Sequence, residues 1–196
     1  MDFYERLLDA MLEENIDIFC SEGCCRELNN IQIAYYFFTD SVLFEGRDQI
    51  DFLMAKTLAK QHGDLENEYF QSLAAPWDKL YKLSFLRKYQ LGFDTTLHPM
   101  EDFLFNFIAF DHARRVEAYN YIGYHYRRQV ATASTNRFNP RMPSMSVAFV
   151  NSLNDYARHM EPNKLIQNAI SARTITCFNR SARFYFFIKT TKILTE

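Results

Sequence analysis

Apolar positions recur along this chain with two periods, and the exchange between them predicts the elements. Residues 2–14 follow the helical period: Phe3, Leu7, Leu8, Met11 and Leu12 make one buried stripe, and Asp2 with Glu5 gives a capping-box-like start. From Ile16 to Cys25 the period drops to two, with Ile16, Ile18 and Cys20 alternating against Asp17, Phe19 and Ser21. Asn29-Asn30 predicts a turn before a second strand, Ile31 to Phe38. Glu45-Gly46-Arg47 opens a helix from Arg47 to His62, with Ile50, Leu53, Met54 and Leu58 inward and Gly63 as its stop. A polar connection, Asp64 to Glu68, and the stretch Phe70 to Leu73 lead to Trp77, a short helix from Ser84 to Tyr89 with Ser84 as cap, and a brief strand from Leu91 to Asp94. Pro99 then turns His98 away from helical angles, and Phe103, Leu104, Phe107 and Ile108 repeat at helical spacing, so a long helix runs from Glu101 to Arg115.

Val116, Ala118, Asn120, Ile122, Tyr124 and Tyr126 alternate with Glu117, Tyr119, Tyr121, Gly123 and His125, which predicts a half-buried strand. The segment from Gln129 to Pro143 is rich in turn residues and reads as a loop, and helices Met145 to Met160 and Asn163 to about Phe187 close the chain. Helix and strand therefore interleave, and the fold class is α/β.

Composition narrows the function. The chain has 196 residues, 48% apolar and 23% charged, enough for one packed domain. A net charge of −2 and a pI near 6.2 exclude a nucleic-acid binder that works through bulk charge. The N-terminus, Asp2-Phe3-Tyr4-Glu5-Arg6, lacks the apolar core of a signal peptide. The apolar run Phe184 to Ile188 falls far short of the roughly 20 residues a spanning helix needs. Cys20, Cys24, Cys25 and Cys177 lack metal-ligand spacing and read as reduced thiols of a cytosolic protein.

The candidate chemistry gathers at Glu101 and Asp102. Both fall in the first turn of a predicted helix, where unpaired N–H groups and the macrodipole favour negative charge by roughly 0.3–1 kcal/mol per group. An ionised carboxylate is the state a general base needs.

Around this pair the order of segments resembles the acceptor-side half of family 2 glycosyltransferases. Trp77-Asp78-Lys79-Leu80-Tyr81, Phe93-Asp94, the Glu101-Asp102 helix start and the strand end Tyr124-His125-Tyr126-Arg127 follow one another as in that family. The opening stretch, Leu8-Asp9-Ala10-Met11-Leu12-Glu13-Glu14-Asn15-Ile16-Asp17-Ile18, is similar to the helix and strand that come after the family's metal-binding Asp-x-Asp. Met100 departs from the pattern, standing where the family usually has glycine.

The resemblance implies part of a GT-A (Rossmann-like) sheet flanked by helices over residues 1–143, with a helical C-terminal extension, 144–196, packed on it. It implies transfer of a sugar from a nucleotide-diphosphate sugar to a glycan acceptor hydroxyl, in bacterial surface polysaccharide synthesis. Asp102 would be the general base and Glu101 its acidic neighbour. Trp77 and Lys79 would meet the acceptor, and His125, Arg127 and Thr132 the donor diphosphate. The full family domain uses a divalent cation, Mn or Mg. No Asp-x-Asp occurs in this chain, and the nearest pair, Asp48 and Asp51, sits on an amphipathic helix. The chain is therefore expected to lack the donor half, to be inactive alone, and to self-associate through an exposed sheet edge. Its place would be the cytoplasm, peripheral to the inner membrane face. The alternative is a non-catalytic glycan- or protein-binding remnant of the same fold.

Overall fold

The computed structural model describes residues 5, 8–9, 11–12, 14–28, 31–36, 38, 40–59, 73–127 and 140–193. Residues 22–28, 31–36, 120–123, 125–127 and 183–193 are described as backbone. The chain is mixed α/β. Its strands are β1 (Ile18–Leu28), β2 (Ile31–Tyr36), β3 (Val42–Glu45), β4 (Lys79–Tyr81) and β5 (Arg115–Arg127). Its helices are α1 (Arg47–Leu58), α2 (Leu83–Lys88), α3 (Glu101–His112), α4 (Met142–Ala157) and α5 (Lys164–Ile193). A single 3₁₀ turn, Thr95–Leu97, precedes α3.

β1 is the centre of the sheet. It pairs in parallel with β5 along one edge, from Ile18 opposite Val116 to Glu27 opposite Arg127. Along the other edge it pairs antiparallel with β4 at Ile18–Cys20 and with β2 at Gly23–Leu28. β3 lies antiparallel on the far side of β5, so the order is β2-β1-β5-β3 with β4 beside β2 on the β1 edge.

A strand in that position is covered on both faces. Ile16, Asp17, Ile18, Phe19, Cys20 and Ser21 are all buried, so the alternating positions face two cores. Ile18 and Cys20 join the main core with α1, α3, α4 and α5, while Phe19 joins Met11, Ile16, Leu80 and Tyr119 in a smaller one. The polar member is satisfied. The Asp17 carboxylate accepts from the N–H groups of Arg114 and Arg115 at 2.9 and 3.4 Å, fixing the turn from α3 into β5. Two register shifts follow between Ser21 and Cys24, where β5 carries extra residues, and they interrupt its alternation between Tyr119 and Tyr124.

The main core is helical. α1 is buried along Ile50–Asp51 and Leu53–Leu58, on more sides than an amphipathic stripe predicts, because β3, α3 and α5 all pack on it. Arg173 of α5 donates from Nε to the Leu58 carbonyl at 2.6 Å, closing the C-terminal end of α1, and its guanidinium lies 4.0 Å from the Phe103 ring. Phe149, Leu153, Ile166, Ala169 and Ile170 of α4 and α5 belong to the same core as the sheet.

Several boundaries move. α2 begins at Leu83 with Lys82 at its cap, and Ser84 makes no cap bond. The stretch Leu91 to Asp94 forms no strand; Asp94 instead caps the 3₁₀ turn through the Thr96 N–H at 2.9 Å. β3 and β4 escape the pattern because each is too short to show a period. α3 stops at His112, three residues before Arg115. α4 starts at Met142, with Pro143 in its first turn. The Gly63 stop and most of the loop from Gln129 lie outside the described residues. In the N-terminal helical stretch Met11 is buried, but Leu8 and Leu12 are 56% and 64% exposed, so the expected stripe is buried only in part.

These placements separate two leucines. Leu53→Ala, in the fully buried wall of α1, is expected to cost about 2–5 kcal/mol, whereas Leu12→Ala should stay within about 0.5 kcal/mol of the parent. Urea unfolding followed by circular dichroism measures both, and equal losses would show that Leu12 is covered in solution.

Candidate functional site

The site is built where α3 begins, beside β4. His98 is extended (φ −58°, ψ 125°), as the following proline favours, and α3 opens at Glu101 with Met100 at its cap. No side chain caps the first turn, so its N–H groups and dipole act on Glu101 and Asp102 directly. Glu101 turns back to His98, with Oε1 2.6 Å from Nδ1. Asp102 is half-buried. Burial and then the neighbouring Glu101 charge raise its carboxyl above the ordinary aspartate value, while Lys79 and His98 pull the other way.

Beneath Asp102 lies a polar floor. Asn106, one turn along α3 and fully buried, donates to the Asp102 carbonyl at 3.1 Å and to the Ala74 carbonyl at 2.7 Å. Its Oδ1 accepts from the Tyr81 hydroxyl at 2.6 Å. Burial, with the charges of Cys20, Asp78 and Asp102, holds the Tyr81 hydroxyl well above its usual range, so it stays a proton donor. Neither Asn106 nor Tyr81 stood out in the sequence as a site residue. The usable signal was Asn106 itself, a lone amide in the run from Phe103 to Phe110, because a buried amide must find partners.

Lys79 does not stand where an acceptor contact requires. Its side chain has no exposed surface; Nζ donates to Asp78 Oδ1 at 2.7 Å and to the Ala75 carbonyl at 2.5 Å. Alternation along β4 turns it inward toward Cys20, its partner across the ladder. Asp78 is equally buried, and its Oδ2 has no hydrogen-bond partner, so burial raises this carboxyl despite Lys79. The same surroundings push the Cys20 thiol up to about 12, leaving it an inert protonated group.

Trp77 is partly exposed and stacks on Tyr124 of β5, ring centres 4.2 Å apart. Trp77 therefore meets β5 at Tyr124, while Asp102 is tied to β4 through the neighbouring Lys79 charge and the Asn106–Tyr81 bond. His125 and Arg127 continue β5 past Tyr124 as described backbone, and Thr132 lies outside the described residues.

A concavity of about 450 Å³ lies at the other end of α3, between α1 and the turn joining α4 to α5. Arg47 bridges Asp51 and Asp111 there at 2.5 and 2.6 Å, Asn163 donates to Asp51 at 2.5 Å, and the Tyr156 hydroxyl to Asp111 at 2.7 Å. Burial works against the Arg47 charge, but bonds to Asp111 and Asp51 outweigh it and keep the guanidinium above its ordinary value. Asp51, half of the pair Asp48 and Asp51, is thereby engaged. Among the described residues no group of three His, Cys, Asp or Glu is placed to hold a metal ion.

Two outcomes test this geometry. Lys79→Met should cost about 3–5 kcal/mol by leaving Asp78 charged and uncompensated, and the double variant Asp78→Asn/Lys79→Met should recover most of that loss. A single variant as stable as the parent would mean the pair is hydrated. For Asp102, the raised carboxyl makes the folded state hold its proton over a window where the unfolded chain has lost it. Its stabilising contribution is complete below the ordinary aspartate value and is lost as pH rises through the raised one. Asp102→Asn should therefore raise stability at neutral pH, by less than about 1 kcal/mol after solvent screening, and flatten that decline. Thermal unfolding across acid to neutral pH checks the sign.

No family model matches the chain, and no curated protein matches it.

Proposed function

We propose that this chain carries the acceptor side of a sugar-transfer site. In this reading Asp102 takes the proton of an acceptor hydroxyl as that oxygen attacks the anomeric carbon of a nucleotide-diphosphate sugar. What supports it is the half-buried Asp102 carboxylate, raised above its ordinary value at the start of α3, with the buried Asn106 amide on its own carbonyl and Lys79 nearby. A base works best when its pKa approaches the working pH, and partial burial moves Asp102 in that direction. Asn106, bound to the Asp102 carbonyl, fixes the first turn so that the carboxylate keeps its position. The partly exposed face of Trp77 suits the apolar face of a sugar ring.

One carboxylate is enough for this reaction. A diphosphate leaves without a proton if positive charge meets it, unlike the alcohol released in glycoside hydrolysis. The family resemblance assigns that task to Arg127, with His125 and Thr132, since a guanidinium offers phosphate two hydrogen bonds at once. Lys79 is reassigned from acceptor contact to the buried support of Asp78. The product would be a surface polysaccharide linkage, made at the cytoplasmic side of a membrane. With no Asp-x-Asp among these 196 residues, metal-assisted donor binding is assigned to a separate donor half.

The test joins this segment to such a half. Asp102→Asn should lower transfer by about 10²–10⁴-fold, because the amide keeps the shape but cannot accept the proton. Glycan binding, followed through Trp77 as the chain's only tryptophan, should persist in the same variant. Transfer within a few-fold of the parent would remove Asp102 from the role and favour the glycan- or protein-binding alternative. Residues 1–196 alone should show no manganese-dependent binding of a nucleotide sugar by calorimetry; micromolar binding would place the donor site here.

A further inference from the structure

Glu101 makes a bond that the sugar-transfer reading leaves unused. Its Oε1 lies 2.6 Å from Nδ1 of His98, and at that separation one proton sits between them. Imidazole is the more basic of the two groups, so the proton stays on Nδ1 and the carboxylate accepts. The bond therefore fixes which ring nitrogen is protonated. Nε2, on the far side of the ring, is left as an acceptor. Among the described residues Nε2 has no partner, and the His98 side chain is 62% exposed.

Both halves of this pair are held from beneath. Asp94 accepts from the N–H and the hydroxyl of Thr96, closing the 3₁₀ turn, and the Met100 N–H donates to the Leu97 carbonyl at 2.6 Å. Leu97 and Met100, on either side of His98 and Pro99, are buried. The Glu101 side chain is only 19% exposed, and its Oε2 is buried without a hydrogen-bond partner. An ionised oxygen so placed is costly, and positive charge on the adjoining imidazole offsets part of that cost. The other described histidine side chains lack this arrangement. His112 stacks on Tyr89, and His159 turns Nδ1 to the Asp155 carbonyl.

Within the sugar-transfer reading, on which this rests, we propose that His98 and Glu101 form a dyad that carries the acceptor proton away from Asp102. The acceptor O–H bond breaks toward the Asp102 carboxylate, which becomes neutral. The proton then passes, directly or through one water, to His98 Nε2. Glu101 meets the imidazolium that forms, the proton leaves for solvent, and Asp102 is ionised again. Two features favour this route. Imidazole outcompetes a carboxylate for a proton. An acceptor lying over the half-buried Asp102 excludes water from it, whereas His98 stays largely exposed. The His98 charge is near enough to act on the Asp102 carboxyl.

NMR of the ring nitrogens in residues 1–196 tests the dyad without any activity. His98, assigned by its loss in His98→Gln, should show a protonated Nδ1 and an unprotonated Nε2 in its neutral form. Glu101→Leu should shift it to the Nε2–H form that unconstrained histidine prefers, with circular dichroism unchanged. A parent His98 in the Nε2–H form, or one indifferent to Glu101→Leu, would overturn the dyad and leave the role of Asp102 untouched. With a donor half joined, His98→Gly should lower transfer by at least about tenfold, and added imidazole should restore much of it. Transfer by His98→Gly within about twofold of the parent, while Asp102→Asn still fails, would overturn the relay alone. Loss that imidazole does not rescue would also overturn it and mark His98 as structural support. Transfer retained by Asp102→Asn would remove the base reading itself, and the relay with it, even where the tautomer is as expected.

Discussion

The parallel ladder between β1 and β5 is the constraint on which the rest of this structure depends. Parallel neighbours cannot be joined by a hairpin, so the chain must leave the end of β1 and return to the start of β5 by a long crossover. Nearly every other sheet and helix element described before β5 lies in that crossover: β2 and β4 fill the free edge of β1, and α1 and α3 cover one face. Asp17 locks the return. It stands just before β1, and its carboxylate holds the N–H groups of Arg114 and Arg115 where α3 turns into β5. The position of Asp102 at the far end of α3 follows from that lock, because a helix of 12 residues transmits its anchored end to its free one.

Both ends of α3 are polar, and its middle is apolar apart from Asn106. Leu104, Phe105, Phe107, Ala109 and Phe110 are buried, and they give the helix its binding energy to α1 and the sheet. At the first turn, burial is tolerated because Asn106 and Tyr81 complete each other's hydrogen bonds. At the last turn Asp111 is met by Arg47 and Tyr156. The buried Asp78–Lys79 pair is different in kind. Its attraction barely offsets the desolvation of two charges, and the unpaired Asp78 Oδ2 adds to the cost. Such a pair specifies position more than it stabilises, and what it positions is the Trp77 to Tyr81 segment beside Asp102.

Asp102 draws on α3 and β4, while α5 closes α1 through Arg173 and enters the main core through Ile170 and Cys177.

Much of the secondary structure was legible because periodicity reports local geometry. The β1 and β5 strands, the helix starting at Glu101, and two closing helices follow from repeats of two and of three to four, and Pro99 marked the start of α3. The carboxylate pair in its first turn was legible for the same reason. Three residues of β4 and four of β3 were not, since a strand that short exists only by pairing with a neighbour distant in sequence. Alternation marked β1 as a strand, but only its central place decided that both of its faces are covered by other elements. The family resemblance gave Lys79 to the acceptor; Asp78, Ala75 and the inward turn of β4 bury it instead. Sequence alone therefore determined what each stretch could be and where its charges fell. Tertiary structure decided which of those groups met, because pairing, burial and the pKa of Asp102 depend on neighbours that the chain brings together only by folding.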